Sequence, residues 1–82
     1  DQNYPNPFNP STTITYSLEQ AGLVSLSIYN ALGQRVTQLV NKSQSPGRYN
    51  VQWDASVAPT GIYYYRLAVG DVLLTRKMTL IK

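Results

Sequence analysis

The stretch "GRYNVQW", Gly47 to Trp53, alternates without a break: Tyr49, Val51 and Trp53 fall on one parity, Arg48, Asn50 and Gln52 on the other. Successive side chains of a β-strand point to opposite faces, so this pattern describes a strand with one face in a core and the other in water. On a helix the same residues would scatter around the circumference. Neighbouring runs repeat the pattern. "TTITYSL" (Thr12 to Leu18) sets Ile14, Tyr16 and Leu18 against Thr13, Thr15 and Ser17, and "LVSLSIYN" (Leu23 to Asn30) sets Val24, Leu26 and Ile28 against Ser25, Ser27 and Tyr29. "VLLTRKMTLIK" (Val72 to Lys82) puts Leu74, Met78 and Leu80 on one parity and Lys77 and Thr79 on the other. "GIYYYRLAV" (Gly61 to Val69) is apolar on both parities. Its consecutive tyrosines must divide between faces, with Tyr63, Tyr65 and Leu67 expected inward and Ile62, Tyr64 and Arg66 outward. "QRVTQLV" (Gln34 to Val40) has mixed faces. Leu32, Val36, Leu39 and Val40 also fit a helical stripe, but Asn30, Gly33 and the β-branched valines favour a strand.

Turn residues separate these runs: Gly22 after "QA", then "NALG" (Asn30 to Gly33), "SPG" (Ser45 to Gly47), "APTG" (Ala58 to Gly61) and Gly70-Asp71. Asn first and Gly last suit a type I turn or a bulged loop in "NALG", and Gly70-Asp71 reads as a two-residue hairpin loop. The residues thus outline about six strands, spaced roughly 8–14 residues apart, with no convincing helix; such spacing predicts an antiparallel β-sandwich.

The 82 residues allow one domain, with an expected radius of gyration of roughly 12 Å and little room for a deep pocket. Apolar residues make up 43% and charged residues 13%, so the surface leans on Ser, Thr, Asn, Gln and Tyr. A net charge of +3 is too mild and too dispersed for nucleic-acid binding. Neither Cys nor His is present, which removes disulfides, zinc and copper sites and the usual activated nucleophiles. No basic segment followed by an apolar stretch marks a signal peptide, and no apolar run nears the ~18 residues of a membrane span. The chain is expected to be a domain of a longer protein. Its acids, Asp1, Glu19, Asp54 and Asp71, are dispersed among turns and the terminus, so neither a carboxylate pair nor a calcium loop is expected. No catalytic residue and no cofactor is assigned.

The opening "NYPNPFNPSTT" (Asn3 to Thr13) is of another kind. Tyr4, Asn6 and Asn9 each precede a proline, which pushes them towards extended geometry and the segment towards polyproline II. Asn3, Asn6 and Asn9 recur every third residue and would line one edge, while Tyr4 and Phe8 project elsewhere. Residues 1–10 are read as a junction segment docked on a sandwich of residues 11–82, with Tyr4 and Phe8 as plugs; a stiff linker is the alternative. Two further features carry a choice. Tyr64 either stacks on a sugar or partner surface with help from Arg66, or packs across strands under the Arg66 stem. The basic residues Arg76, Lys77 and Lys82 either protect an exposed edge strand or present a recognition edge. Trp53 is expected to anchor the core, and Asp54 to form a turn.

Taken in order, "NYPNPFNPSTTITYSL", "VSLSIYNALGQRVTQLV", "GRYNVQWDA", "PTGIYYYRL" and the closing "RKMTLIK" resemble the C-terminal sorting domain (type A) of the bacterial type IX secretion system, over Asn3 to Lys82. They are similar in pattern to the immunoglobulin-like domain of flagellar hook-capping proteins, although "WDA" stands here in place of "WDG". The resemblance implies an immunoglobulin-like sandwich of about seven strands. It also implies an address tag on a cargo domain of the same chain, exported through the periplasm and delivered to the cell surface or the medium. The implied partners are an outer-membrane translocon and a sortase-like protease that in many members removes the tag and links cargo to lipopolysaccharide. Recognition features would lie in Gly61, Tyr63, Leu67 and Gly70 and from Lys77 to Lys82, with Arg76, Lys77, Met78 and Lys82 as the read-out. Ile28, Trp53, Tyr63 and Tyr65 would be scaffold. Asn3, Tyr4, Pro5, Asn6, Pro7, Phe8, Asn9 and Pro10 would mark the cargo junction. Two other functions fit the residues: a carbohydrate-binding module of a secreted hydrolase, which needs Tyr64 and a second aromatic on one flat face, and a structural spacer or hook-capping domain.

Overall fold

The period-two runs become six strands: β1 (Ser11–Leu18), β2 (Gly22–Asn30), β3 (Arg35–Gln44), β4 (Gly47–Asp54), β5 (Gly61–Val69) and β6 (Val72–Leu80). The computed structural model of the chain describes residue 7 and residues 10–81. All pairings are antiparallel. β1 and β4 form a two-stranded sheet, and the other sheet has the order β3-β2-β5-β6. The stretch with helical spacing, Leu32 to Val40, is a turn followed by β3, so the β-branched residues prevail over the stripe.

β1 and β4 pair in unbroken register from Ser11 opposite Asp54 to Leu18 opposite Gly47. Their inward residues Ile14, Tyr16, Leu18 and Trp53 join Val24, Leu26 and Ile28 of β2, Val40 of β3, Tyr63, Tyr65 and Leu67 of β5, and Met78 and Leu80 of β6 in one buried cluster. Two contacts tie the sheets together. Trp53 meets Tyr63 edge-on, ring centroids 5.4 Å apart, and the Tyr16 hydroxyl donates to Gln44 Oε1 at 2.6 Å. Tyr49 stacks on Tyr16 at 5.4 Å. The expected division of β5 holds: Tyr63, Tyr65 and Leu67 are buried, Ile62 and Tyr64 are half-buried, and Arg66 is exposed. The radius of gyration is 12.4 Å.

The described residues contain six strands, not the seven that the resemblance implies. The segment between β4 and β5 turns instead of pairing: the Asp54 carboxylate accepts from the Ser56 amide at 2.9 Å, and Ala58 N donates to Ala55 O at 3.0 Å. Ala55 and Ala58 thereby cap the core. The smaller sheet is left two strands wide beneath a four-stranded one.

The turns follow their chemistry. Val69 and Val72 close a two-residue hairpin around Gly70, whose φ is 56°. At Asn30 to Gly33 the Asn30 side chain accepts from the amides of Leu32 (2.9 Å) and Gln34 (3.0 Å), satisfying donors that the turn exposes. The strand directions bring the start of β1 and the end of β6 to one end of the sandwich. Ser11 lies opposite Asp54, Leu80 opposite Gly61, and Ala55 N donates to Pro10 O at 2.9 Å. The Gly70-Asp71 hairpin lies at the opposite end.

Candidate functional site

Among the described residues β6 is an edge strand, paired with β5 alone. Tyr64 stands opposite Lys77, and Tyr65 opposite Arg76. Because adjacent residues alternate, Arg76 and Lys77 leave opposite faces of the sheet. Arg76 shares the core-facing side with Leu74 and Met78, yet it is exposed. From Val72 to Lys77, β6 is exposed or half-buried, with Leu74 packed against the margin of the core, and Met78 and Leu80 are buried in it. Its first half is thus the more exposed. Burial pushes the Tyr65 hydroxyl above the ordinary tyrosine value, and the positive charge of Arg76 partly opposes that rise. Met78 is wholly buried, so in the folded domain its side chain packs in the core. Lys82 lies outside the described residues. The basic cluster of the sequence is thus divided: one cation on each face of the edge strand, followed by a core methionine.

Lys77 shares the outer face with Tyr64, which is half-buried between it and Tyr29 of β2. The Arg66 guanidinium lies 4.9 Å from the centroid of the Tyr29 ring. Arg66 was expected to serve Tyr64, its neighbour two residues back. The diagonal across to β2 carries it to Tyr29 instead, a cation–π contact. Arg35 of β3 stands opposite Tyr29 on the other side. Tyr29 and Arg35 were not singled out in the sequence; both are placed here by register, which spans residues far apart in the chain.

At the junction, Pro7 and Pro10 are exposed, and the Pro10 carbonyl is held by Ala55. Asn3, Tyr4, Pro5, Asn6, Phe8 and Asn9 lie outside the described residues, and so does the docking expected of Tyr4 and Phe8.

A local motif passed over in the sequence recurs twice. "SPGRY" and "PTGIY" each place a Tyr two residues after Gly at the start of a strand. Tyr49 donates to Ser45 O and Tyr63 to Pro59 O at 2.6 Å, each reaching back four residues in the manner of the tyrosine corner of immunoglobulin-like sandwiches. Gly47 (φ 152°) and Gly61 (φ 155°) adopt backbone conformations that L-residues rarely enter. The shared Gly-x-Tyr spacing was the available signal.

Two surface grooves occupy the ends. One of about 850 Å³ is lined by Leu18, Glu19, Leu23, Val69, Asp71 and Leu73. The other, about 480 Å³, is lined by Leu32, Val36, Val57, Pro59 and Ile62. Among the described residues, no group of three or more acidic side chains is placed to hold a metal ion, and no helix is long and apolar enough to cross a membrane. No curated protein and no solved structure matches the chain. The family model described as "Secretion system C-terminal sorting domain" matches residues 2–82.

Proposed function

The chain belongs to the family of secretion system C-terminal sorting domains, and on that premise we propose that its folded sandwich is an address read at the β6 edge by the outer-membrane translocon. A domain of this family is a sorting signal for type IX secretion, and the protein that carries it is exported. The family sorts; it does not catalyse.

The observation that carries the proposal is the state of β6. Among the described residues it stands at the edge of its sheet, and it projects exposed Arg76 from one face and Lys77 from the other. A partner that adds a strand there obtains backbone hydrogen bonds for affinity and a cation on each face for register. The start of β1 and the end of β6 lie at one end of the sandwich, away from the Gly70-Asp71 hairpin where β6 begins, and in this reading the cargo domain joins at that end. In this reading Arg76, Lys77 and Lys82 make the contact. Met78 acts through the core, fixing the strand that carries them. Passage through the periplasm, cleavage by a sortase-like protease and attachment of cargo to surface lipopolysaccharide complete the pathway.

The experiment is a folded reporter carrying residues 1–82 at its C-terminus in a type IX-competent bacterium, with Arg76→Glu, Lys77→Glu and the double variant compared with the unaltered tag. The expected outcome is surface delivery with the unaltered tag and retention inside the outer membrane with the double variant, although that variant still folds. Delivery of the double variant at the unaltered level removes β6 as the read-out.

A further inference from the structure

We propose that the outer face of the four-stranded sheet binds an acidic saccharide, a chain of sugar rings bearing carboxylates. The inference concerns the face of the sheet, not its β6 edge, and does not depend on the sorting role.

The centre of that face is built from Tyr29, Tyr64, Arg66 and Lys77. Tyr29 and Tyr64 are direct cross-strand neighbours on β2 and β5, both half-buried, which sets two aromatic residues side by side on this face. Aromatic rings fixed in this way offer apolar faces to the C–H face of a sugar, with hydroxyl groups at their rims. The Arg66 guanidinium is laid over Tyr29 at 4.9 Å, which orients a planar fork that matches a carboxylate in two-point geometry. No carboxylate engages Arg66 or Arg35 among the described residues, and the acids Glu19, Asp54 and Asp71 sit in turns or at a strand end, away from this face. Arg35 and Arg66 therefore flank Tyr29 with one sign of charge. Thr75 stands opposite Arg66 and Ser25 opposite Ala68, adding hydroxyls to this face.

The same face is poorly suited to a protein partner. Protein interfaces centre on a desolvated apolar cluster, and here the exposed large aliphatics lie towards the two ends of the sandwich: Leu23, Val72 and Leu73 at one, Leu32, Val36 and Val57 at the other. The centre offers rings, hydroxyls and cations instead.

The experiment measures binding of an oligogalacturonate to the 82-residue chain by calorimetry and by amide chemical-shift mapping in moderate salt. Neutral dextran and poly-glutamate serve as comparison ligands. The expected result is binding of oligogalacturonate with shifts centred on Tyr29, Tyr64 and Arg66, at least tenfold weaker in Arg66→Gln and in Tyr64→Ala, retained in Tyr64→Phe, and within twofold in Arg48→Gln on the other sheet. Arg66→Gln changes an exposed side chain, so the proposal stays open to refutation if Tyr64→Ala fails to fold. Absence of oligogalacturonate binding overturns the proposal. Binding of poly-glutamate or dextran as tight as that of oligogalacturonate overturns it too, the first by pointing to an acidic polypeptide. An equal loss in Arg48→Gln and Arg66→Gln does the same, because it reduces the effect to net charge.

Discussion

Tyr63 shows how much one side chain organises in a sandwich this small. Its ring meets Trp53 across the two sheets, and its hydroxyl pins the Pro59 carbonyl in the loop ahead of β5. Tyr63→Phe keeps the ring and leaves that carbonyl without its donor, so we expect a loss of about 0.5–1.5 kcal/mol, read from the urea midpoint; an unchanged midpoint would mean that the corner bond contributes nothing. Gly61 serves the same corner through its backbone. A Cβ there meets no atom within 4 Å, so Gly61→Ala tests conformation alone and should cost about 1–3 kcal/mol. The buried tyrosines also set an alkaline limit. Burial raises the hydroxyls of both Tyr16 and Tyr65 above the ordinary 10.0. As pH climbs past that value the unfolded chain releases these protons first, while the native state still holds them. Stability is therefore intact below about pH 10 and falls as pH rises beyond it. Urea midpoints measured between about pH 9 and pH 11 should decline, and less steeply in Tyr65→Phe. A Tyr65→Phe slope as steep as that of the unaltered chain would assign the decline to other groups.

At the scale of the strand, parity decided most of what could be read in advance. Period-two alternation located four of the six strands, turn residues bounded the other two, and within "GIYYYRLAV" the expected inward set of Tyr63, Tyr65 and Leu67 is buried. Parity also bears on the basic run: Arg76 and Lys77, one residue apart, must leave opposite faces, and Met78 falls in line with Leu74 and Leu80. Register was beyond reach. That Tyr29 meets Tyr64, and that Arg66 leans over Tyr29, depends on pairing segments more than thirty residues apart, which no local pattern encodes. The division of β6 has an energetic counterpart. Met78→Ala should cost about 2–5 kcal/mol through the cavity it leaves, whereas Lys77→Ala on the outer face should stay within about 0.5 kcal/mol. Equal losses in thermal denaturation would contradict the assignment of Met78 to the core and Lys77 to the surface.

The whole molecule is a core clad in two unequal sheets, and the inequality shapes its surface. The four-stranded sheet is wider than the two-stranded one, and the first half of β6 is largely exposed, with Leu74 packed at the margin of the core. The start of β1 and the end of β6 lie at one end of the sandwich. In the sorting role proposed above, this body is a label on a cargo domain. Such a label must work folded and must be indifferent to its cargo. The direct measurement is surface delivery of two unrelated folded reporters, each ending in residues 1–82, compared with the same fusions carrying Tyr65→Asp. That substitution buries a charge at a position only 1% exposed and should unfold the sandwich. The account predicts that both reporters reach the surface with the intact sandwich and neither does with Tyr65→Asp. Delivery by the unfolded tag, or delivery of one reporter and not the other by the intact one, would contradict it.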